Sequence, residues 1–297
     1  MAKTRFSEYL IERVIRITGV SAIIFVVLIF LFLIREGAPT LVEVPLNELL
    51  RDRWYPVEDY YGILPLIAGS LFVTLGAALI SIPLGLATAV FIAEIAPRWA
   101  REILKPFVEV LAGIPSVVLG FIGMMVLAPV VRRWTGAPTG LTALTGSLLL
   151  ALMALPTIVS VAEDALDAVP RSYRDGALAL GITRWQTIWR VTVPAGRSGI
   201  ITAMMLGIGR AIGETMTVLM VTGNAARIPL GLRDLLMPAR TMTATIAAEM
   251  GEVAQGSIHY HALFTIGIAL FLITFLINVA AAAVVFRQTR RSERVLS

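Results

Sequence analysis

Five stretches of this chain lack any Asp, Glu, Lys or Arg: residues 17–34, 62–93, 110–131, 134–162 and 253–286. A helix needs about 20 apolar residues to cross a bilayer core about 30 Å thick, and all five stretches are near or beyond that length. Inside lipid the backbone must satisfy its own hydrogen bonds, so such stretches have to be helical. Composition agrees, with 57% hydrophobic and 15% charged residues, against about 45–50% and 25% in soluble domains. A water-soluble enzyme is excluded.

The economical reading is an all-α integral membrane protein of six spans. They fall at about 17–34, within 62–93, and at about 107–131, 139–162, 198–222 and 260–286. As a helix, 62–93 would run about 48 Å, so part of it lies outside the core, and Pro83 predicts a kink. Lys3, Arg5, Arg13 and Arg16 precede the first span, which ends in Arg35-Glu36-Gly37 with no small-residue cleavage site. That pattern is an uncleaved anchor. Counted by loop, 16 Lys and Arg lie on the side of both termini and eight on the other, with Arg210 inside a span. The bias puts both termini in the cytoplasm. The chain then divides into a cytoplasmic N-tail 1–16, a first transmembrane helix 17–34, an external loop 35–61, a transmembrane domain 62–286 and a cytoplasmic C-tail 287–297.

A net charge of +5 raises the question of nucleic acid, but the basic residues flank the spans, where topology accounts for them. Cysteine is absent, and two histidines, His259 and His261, cannot build a metal centre alone. No phosphate-loop motif surrounds either lysine, so a nucleotide site would have to lie on another chain.

Between spans four and five, the cytoplasmic segment 170–194 departs from a simple connector. Pro170 suits a helix start, Gly181 suits its end, and Thr183 can cap a second short helix running to Pro194. Small and apolar residues, Ala177, Leu178 and Leu180, are framed by arginines. Two readings fit: an amphipathic elbow on the headgroups, or a dock for a cytoplasmic partner.

The fifth span carries Arg210 near its middle, with Glu214 four residues on. One helical turn puts the two charges on the same face, and Gly209 and Gly213 repeat at the spacing that lets another helix approach. One reading is mutual neutralisation. The other is an anion path, because the rigid donor fork of arginine matches phosphate oxygens, with Glu214 holding Arg210 in place.

The cytoplasmic segment resembles the EAA loop of ABC importer permeases. That loop reads E-A-A, three residues, G, nine residues, I-x-L-P. Here Asp175-Gly176-Ala177, Gly181 and Val191-Thr192-Val193-Pro194 keep every spacing. Gly176 in place of Ala weakens a helix by about 1 kcal/mol. The stretch from Gly207 to Met216 is similar to the G-x-G-R-x-x-G-E-T-M signature of the PstC family, membrane subunits of phosphate ABC importers. Gly113–Ser116, Leu155–Ile158, Arg240–Ala247 and Gly256–Tyr260 resemble the same family. The resemblance implies a type I importer permease fold in a bacterial inner (plasma) membrane, with segment 170–194 coupling to an ATPase and Arg210 and Glu214 on the substrate path. It also implies a PstA-like second permease chain, two PstB-like ATPases that bind ATP and Mg, and a PstS-like phosphate-binding protein. This chain would hold no cofactor, metal or catalytic group of its own. A permease for sulfate or molybdate, or a proton-coupled transporter using Arg210 and Glu214 as a relay, stands as the alternative.

Among other candidates, Gly113-Ile114-Pro115-Ser116 predicts a bend or break in the third span. The external stretch 222–259, with Thr241, Thr243, Thr245 and Glu249, predicts a short helix that is either solvated or part of an outer gate.

Overall fold

A computed structural model describes the backbone of residues 2–296 and the side chains of Tyr9 and residues 11–283. The side chains of Lys3, Arg5 and the C-tail arginines, used in the orientation argument, lie outside the described residues. The chain begins with α1 (Ala2–Glu43) and the single turn α2 (Leu46–Leu49). A small hairpin follows, β1 (Trp54–Tyr55) against β2 (Tyr60–Tyr61), in the register Trp54↔Tyr61. Then come α3 (Leu64–Val90), α4 (Arg98–Gly113), α5 (Ser116–Ile122), α6 (Ala128–Thr135) and α7 (Ala143–Asp167). The cytoplasmic segment holds α8 (Arg171–Ala179), α9 (Arg184–Thr187) and α10 (Val193–Ala195). The remainder is α11 (Arg197–Gly213), α12 (Met216–Val221), α13 (Met242–Glu249) and α14 (Ile258–Leu296). Single π-helical turns at Phe91–Ile95, Gly123–Leu127 and Ile188–Thr192 join α3 to its end, α5 to α6 and α9 to α10.

Five helices among the described residues are long and apolar enough to cross a membrane: Ile11–Glu43, Leu64–Ile95, Ser116–Thr135, Ala143–Asp167 and Ile258–Ala283. A sixth results if Arg184–Ala195 and Arg197–Gly213, bent by 72°, are taken together. Two boundaries differ from the sequence reading. The third span starts at Ser116, not near 107, because Pro115 forces Ile114 into an extended conformation (ψ 126°) and ends α4. The first helix continues past 34 to Glu43 because α14 supports it: a Cβ on Gly37 would lie 2.7 Å from Ile268 Cδ1. There the hydroxyl of Thr265 donates to the Gly37 carbonyl (3.2 Å), and Phe30 stacks on Phe271 (4.6 Å).

At the centre stands α7, whose Leu150, Ile158 and Leu166 are almost fully buried. It packs on α3 through small residues, with Ser147 donating to the Val73 carbonyl (3.0 Å). Lipid tails are as apolar as leucine, so this association relies on close fit and hydrogen bonds, not on exclusion of water. Pro83 does not break α3. The external helix α13 is not solvated: Met242, Thr243, Ala244 and Thr245 are buried, and Thr241 caps its start by accepting from Ala244 N (3.2 Å).

Candidate anion site and coupling surface

Arg210 lies in the last turn of α11. Its Nη1 donates to Thr157 Oγ1 (3.2 Å) and its Nη2 to the Ala112 carbonyl (3.4 Å). Thr157 sits about 21 Å along α7 from Ala143, which places the guanidinium near mid-depth. No carboxylate among the described residues pairs with Arg210, and the side chain is exposed. Within a bilayer a cation without a counter-charge costs several kcal/mol.

The expectation that Glu214 shares a helix face with Arg210 is corrected here. The helix ends at Gly213, and Glu214 is extended (φ −69°, ψ 133°). Its Oε1 accepts the Thr217 amide (3.4 Å) at the start of α12, and its backbone carbonyl accepts the Thr243 hydroxyl (2.8 Å). Glu214 is thus a helix-start cap within a broken span, not the counter-ion of Arg210. The glycine expectation also changes. A Cβ on Gly209 or Gly213 would meet nothing within 4 Å, whereas one on Gly207 would lie 2.4 Å from Ile158 Cγ1. Close packing inside the chain belongs to Gly207, while Gly209 and Gly213 leave open space on either side of Arg210.

Two breaks face one another: Ile114-Pro115, between α4 and α5, and Glu214-Thr215, between α11 and α12. Before the breaks, Arg210 reaches the Ala112 carbonyl; after them, the Thr217 hydroxyl donates to the Ser116 carbonyl (3.0 Å). Gly120 allows α5 to lie close on α12, since a Cβ there would be 2.9 Å from Met220 Sδ. The first break was legible in Pro115. The second carries no proline, and only its weak helix formers, Gly213 and Thr215, hint at it.

In the cytoplasmic segment, α8 starts directly after Pro170, and Gly181 turns the chain with φ 81°, a conformation that suits glycine. Thr183 and Gln186 form a reciprocal capping box on α9, the side chain of each accepting the backbone N–H of the other (3.3 and 3.0 Å). Asp175, Gly176 and Pro194 are exposed, Val191 and Val193 half-buried, and Ala177 is buried. The space around Gly176 is open, so its lack of a side chain answers no packing demand within the chain. Tyr173, Leu178, Leu180, Trp185 and Trp189 project outward, the two indoles meeting edge to face at 5.7 Å. An exposed apolar patch of this kind is a candidate interaction surface.

Sequence reasoning did not find what holds this segment. Arg174 Nη2 donates to Glu94 Oε1 (2.6 Å) and to the Leu166 carbonyl (2.8 Å), Nε to Glu94 Oε1 (3.0 Å), and Nη1 to the Val169 carbonyl (2.7 Å). Glu94 sits on the π-helical turn that ends α3. Beside it, Arg101 donates to the Ile92 carbonyl (2.9 Å), and Lys105 pairs with Glu163 (3.3 Å) and Asp164 (3.6 Å), fixing α4 to α7. On the external side Glu249 collects Arg240, Trp54 Nε1 (3.2 Å) and His259 Nε2 (2.8 Å), so Glu249 joins the external loop, α13 and α14. In the loop before α13, the amides of Leu230 and Gly231, helped by Arg227, hold the Asp234 carboxyl below its ordinary range. No group of His, Asp or Glu able to hold a metal occurs among the described residues.

Residues 81–292 match the family model described as "Binding-protein-dependent transport system inner membrane component". The probable ABC transporter permease protein YqgH of Bacillus subtilis is 44% identical over 78% of this chain and 75% of its own length. The phosphate transport system permease protein PstC of Mesorhizobium japonicum is 38% identical over 82% of this chain and 79% of its own. In fold, the chain is similar to a chain of the inward-facing MetNI methionine ABC transporter, with a TM-score of 0.58 at 17% identity over 79% of this chain and 99% of that one. It is also similar to a chain of a bacterial alginate ABC transporter, with a TM-score of 0.56 at 15% identity over 93% of each.

Proposed function

The chain belongs to the family of binding-protein-dependent transport system inner membrane components, and from that premise we propose that it forms one side of the path by which an ATP-driven importer carries inorganic phosphate across the inner membrane. It is a multi-pass permease subunit that works with an ATPase and a substrate-binding protein. The more specific assembly follows the relatives named for phosphate. A PstS-like protein delivers phosphate outside, a PstA-like chain completes the path, and two PstB-like ATPases hold ATP and Mg at the cytoplasmic face. The chain itself carries out no covalent chemistry.

One observation carries the reading: a mid-depth guanidinium that, among the described residues, is bonded only to a hydroxyl and a carbonyl. Both acceptors are neutral, so neither balances the guanidinium charge, and its remaining N–H donors can meet phosphate oxygens. ATP-driven movement enters through Leu178, Leu180, Trp185 and Trp189, and passes to the spans through Arg174 and Glu94. Uptake of radioactive phosphate by vesicles holding the complete complex, competed by excess sulfate, tests the cargo. Phosphate uptake persists if the reading is right; equal competition by sulfate overturns it.

A further inference from the structure

Thr157, within the stretch Leu155–Ile158, stands out through its contact. It is half-buried on α7, directly after Pro156, and its hydroxyl accepts from Arg210 Nη1. The neighbouring Ile158 packs against Gly207, one turn before Arg210, so α7 and α11 are held at a fixed separation at this level. Of the five guanidinium N–H donors, those facing Thr157 and Ala112 are engaged by neutral acceptors. We propose that Thr157 is the positioning residue for Arg210, and that its hydroxyl, not its methyl group, sets where the cation stands in the path. This rests on the reading of Arg210 as the anion-path cation.

The chemistry favours a hydroxyl here over a carboxylate. An acid would neutralise the guanidinium and compete with the arriving oxyanion, whereas a hydroxyl steers it and leaves the charge intact. The Thr157 hydroxyl accepts from Arg210 through a lone pair. Its own O–H meets no acceptor among the described residues, so it can donate to the same anion. The Ala112 carbonyl has no proton to offer. Thr157 therefore both aims the cation and adds a neutral donor beside it.

The test uses the complete complex in vesicles, with phosphate uptake measured across phosphate concentrations and ATPase co-purification as the check on assembly. Thr157→Val keeps the shape and loses the hydroxyl; maximal uptake should fall about tenfold, as expected for a hydrogen bond to a charged group. The half-saturating phosphate concentration should stay unchanged, because capture belongs to the binding protein. Thr157→Ser keeps the hydroxyl and loses the methyl, and should retain uptake. Unchanged uptake in Thr157→Val, or an equal loss in Thr157→Ser, overturns the proposal, the latter because it would mark a packing role. If Thr157→Val fails to co-purify with the ATPase, Thr157→Ala reads the same hydroxyl without adding a methyl beside Arg210. Arg210→Gln separates the two layers. Normal uptake in Arg210→Gln defeats the anion-path reading itself, whereas loss there with normal uptake in Thr157→Val defeats only the positioning role.

Discussion

Arg174 and Arg210 are the same side chain put to opposite uses. Arg174 meets Glu94 through two nitrogens and closes its remaining reach on the carbonyls of Val169 and Leu166, all between 2.6 and 3.0 Å. Arg210 makes two longer contacts, 3.2 and 3.4 Å, to neutral acceptors and is exposed. A saturated guanidinium is a fastener, because its donors are taken and its charge is balanced. An unsaturated one remains available to a ligand. The difference separates rigidity at the cytoplasmic face from receptivity at mid-depth.

Three substitutions probe that contrast. The largest effect belongs to Arg210→Gln, which removes the uncommitted charge. Phosphate uptake should be abolished while co-purification with the ATPase survives, and normal uptake would erase the distinction. Next is Glu94→Ala, which leaves Arg174 without its carboxylate. Removing one partner of a fully buried pair costs about 3–5 kcal/mol, and this half-buried pair should cost less. The complex should lose thermal stability and its ATPase activity should no longer drive uptake; unaltered coupling would show that Arg174 is not the fastener. The smallest effect is expected for Glu214→Gln. Because Glu214 caps α12 and does not face Arg210, the amide keeps an acceptor for Thr217 N, and uptake should stay within about threefold of wild type, as for loss of part of one capping bond. Abolition of uptake by Glu214→Gln would put the two residues back into one site.

Much of this was legible in the chain before any coordinates. Uncharged stretches gave the membrane-crossing helices, Pro115 the first break, and Pro170, Gly181 and Thr183 the shape of the cytoplasmic segment, because each of these residues acts on the backbone within a few positions of itself. Contacts across distant parts of the chain were not legible. Glu94 and Arg174 lie on different helices, and nothing local in either reveals the other. The pairing of Arg210 with Glu214 failed for a related reason: spacing of four means one face only if the helix persists, and here it stops at Gly213. Gly207, Gly209 and Gly213 look alike in sequence, and only the position of Ile158 tells which one packs within this chain.

The open faces of Gly209 and Gly213 also bear on how such a chain is made. Until something fills the space beside them, Arg210 stands in the membrane with neither anion nor acidic partner, at a cost of several kcal/mol. An unassembled copy would carry its own distress signal, a charge displayed to lipid that disappears only when the path is enclosed. Synthesis of the chain alone should therefore yield a short-lived protein, and its lifetime in the cell should follow the supply of whatever closes that face.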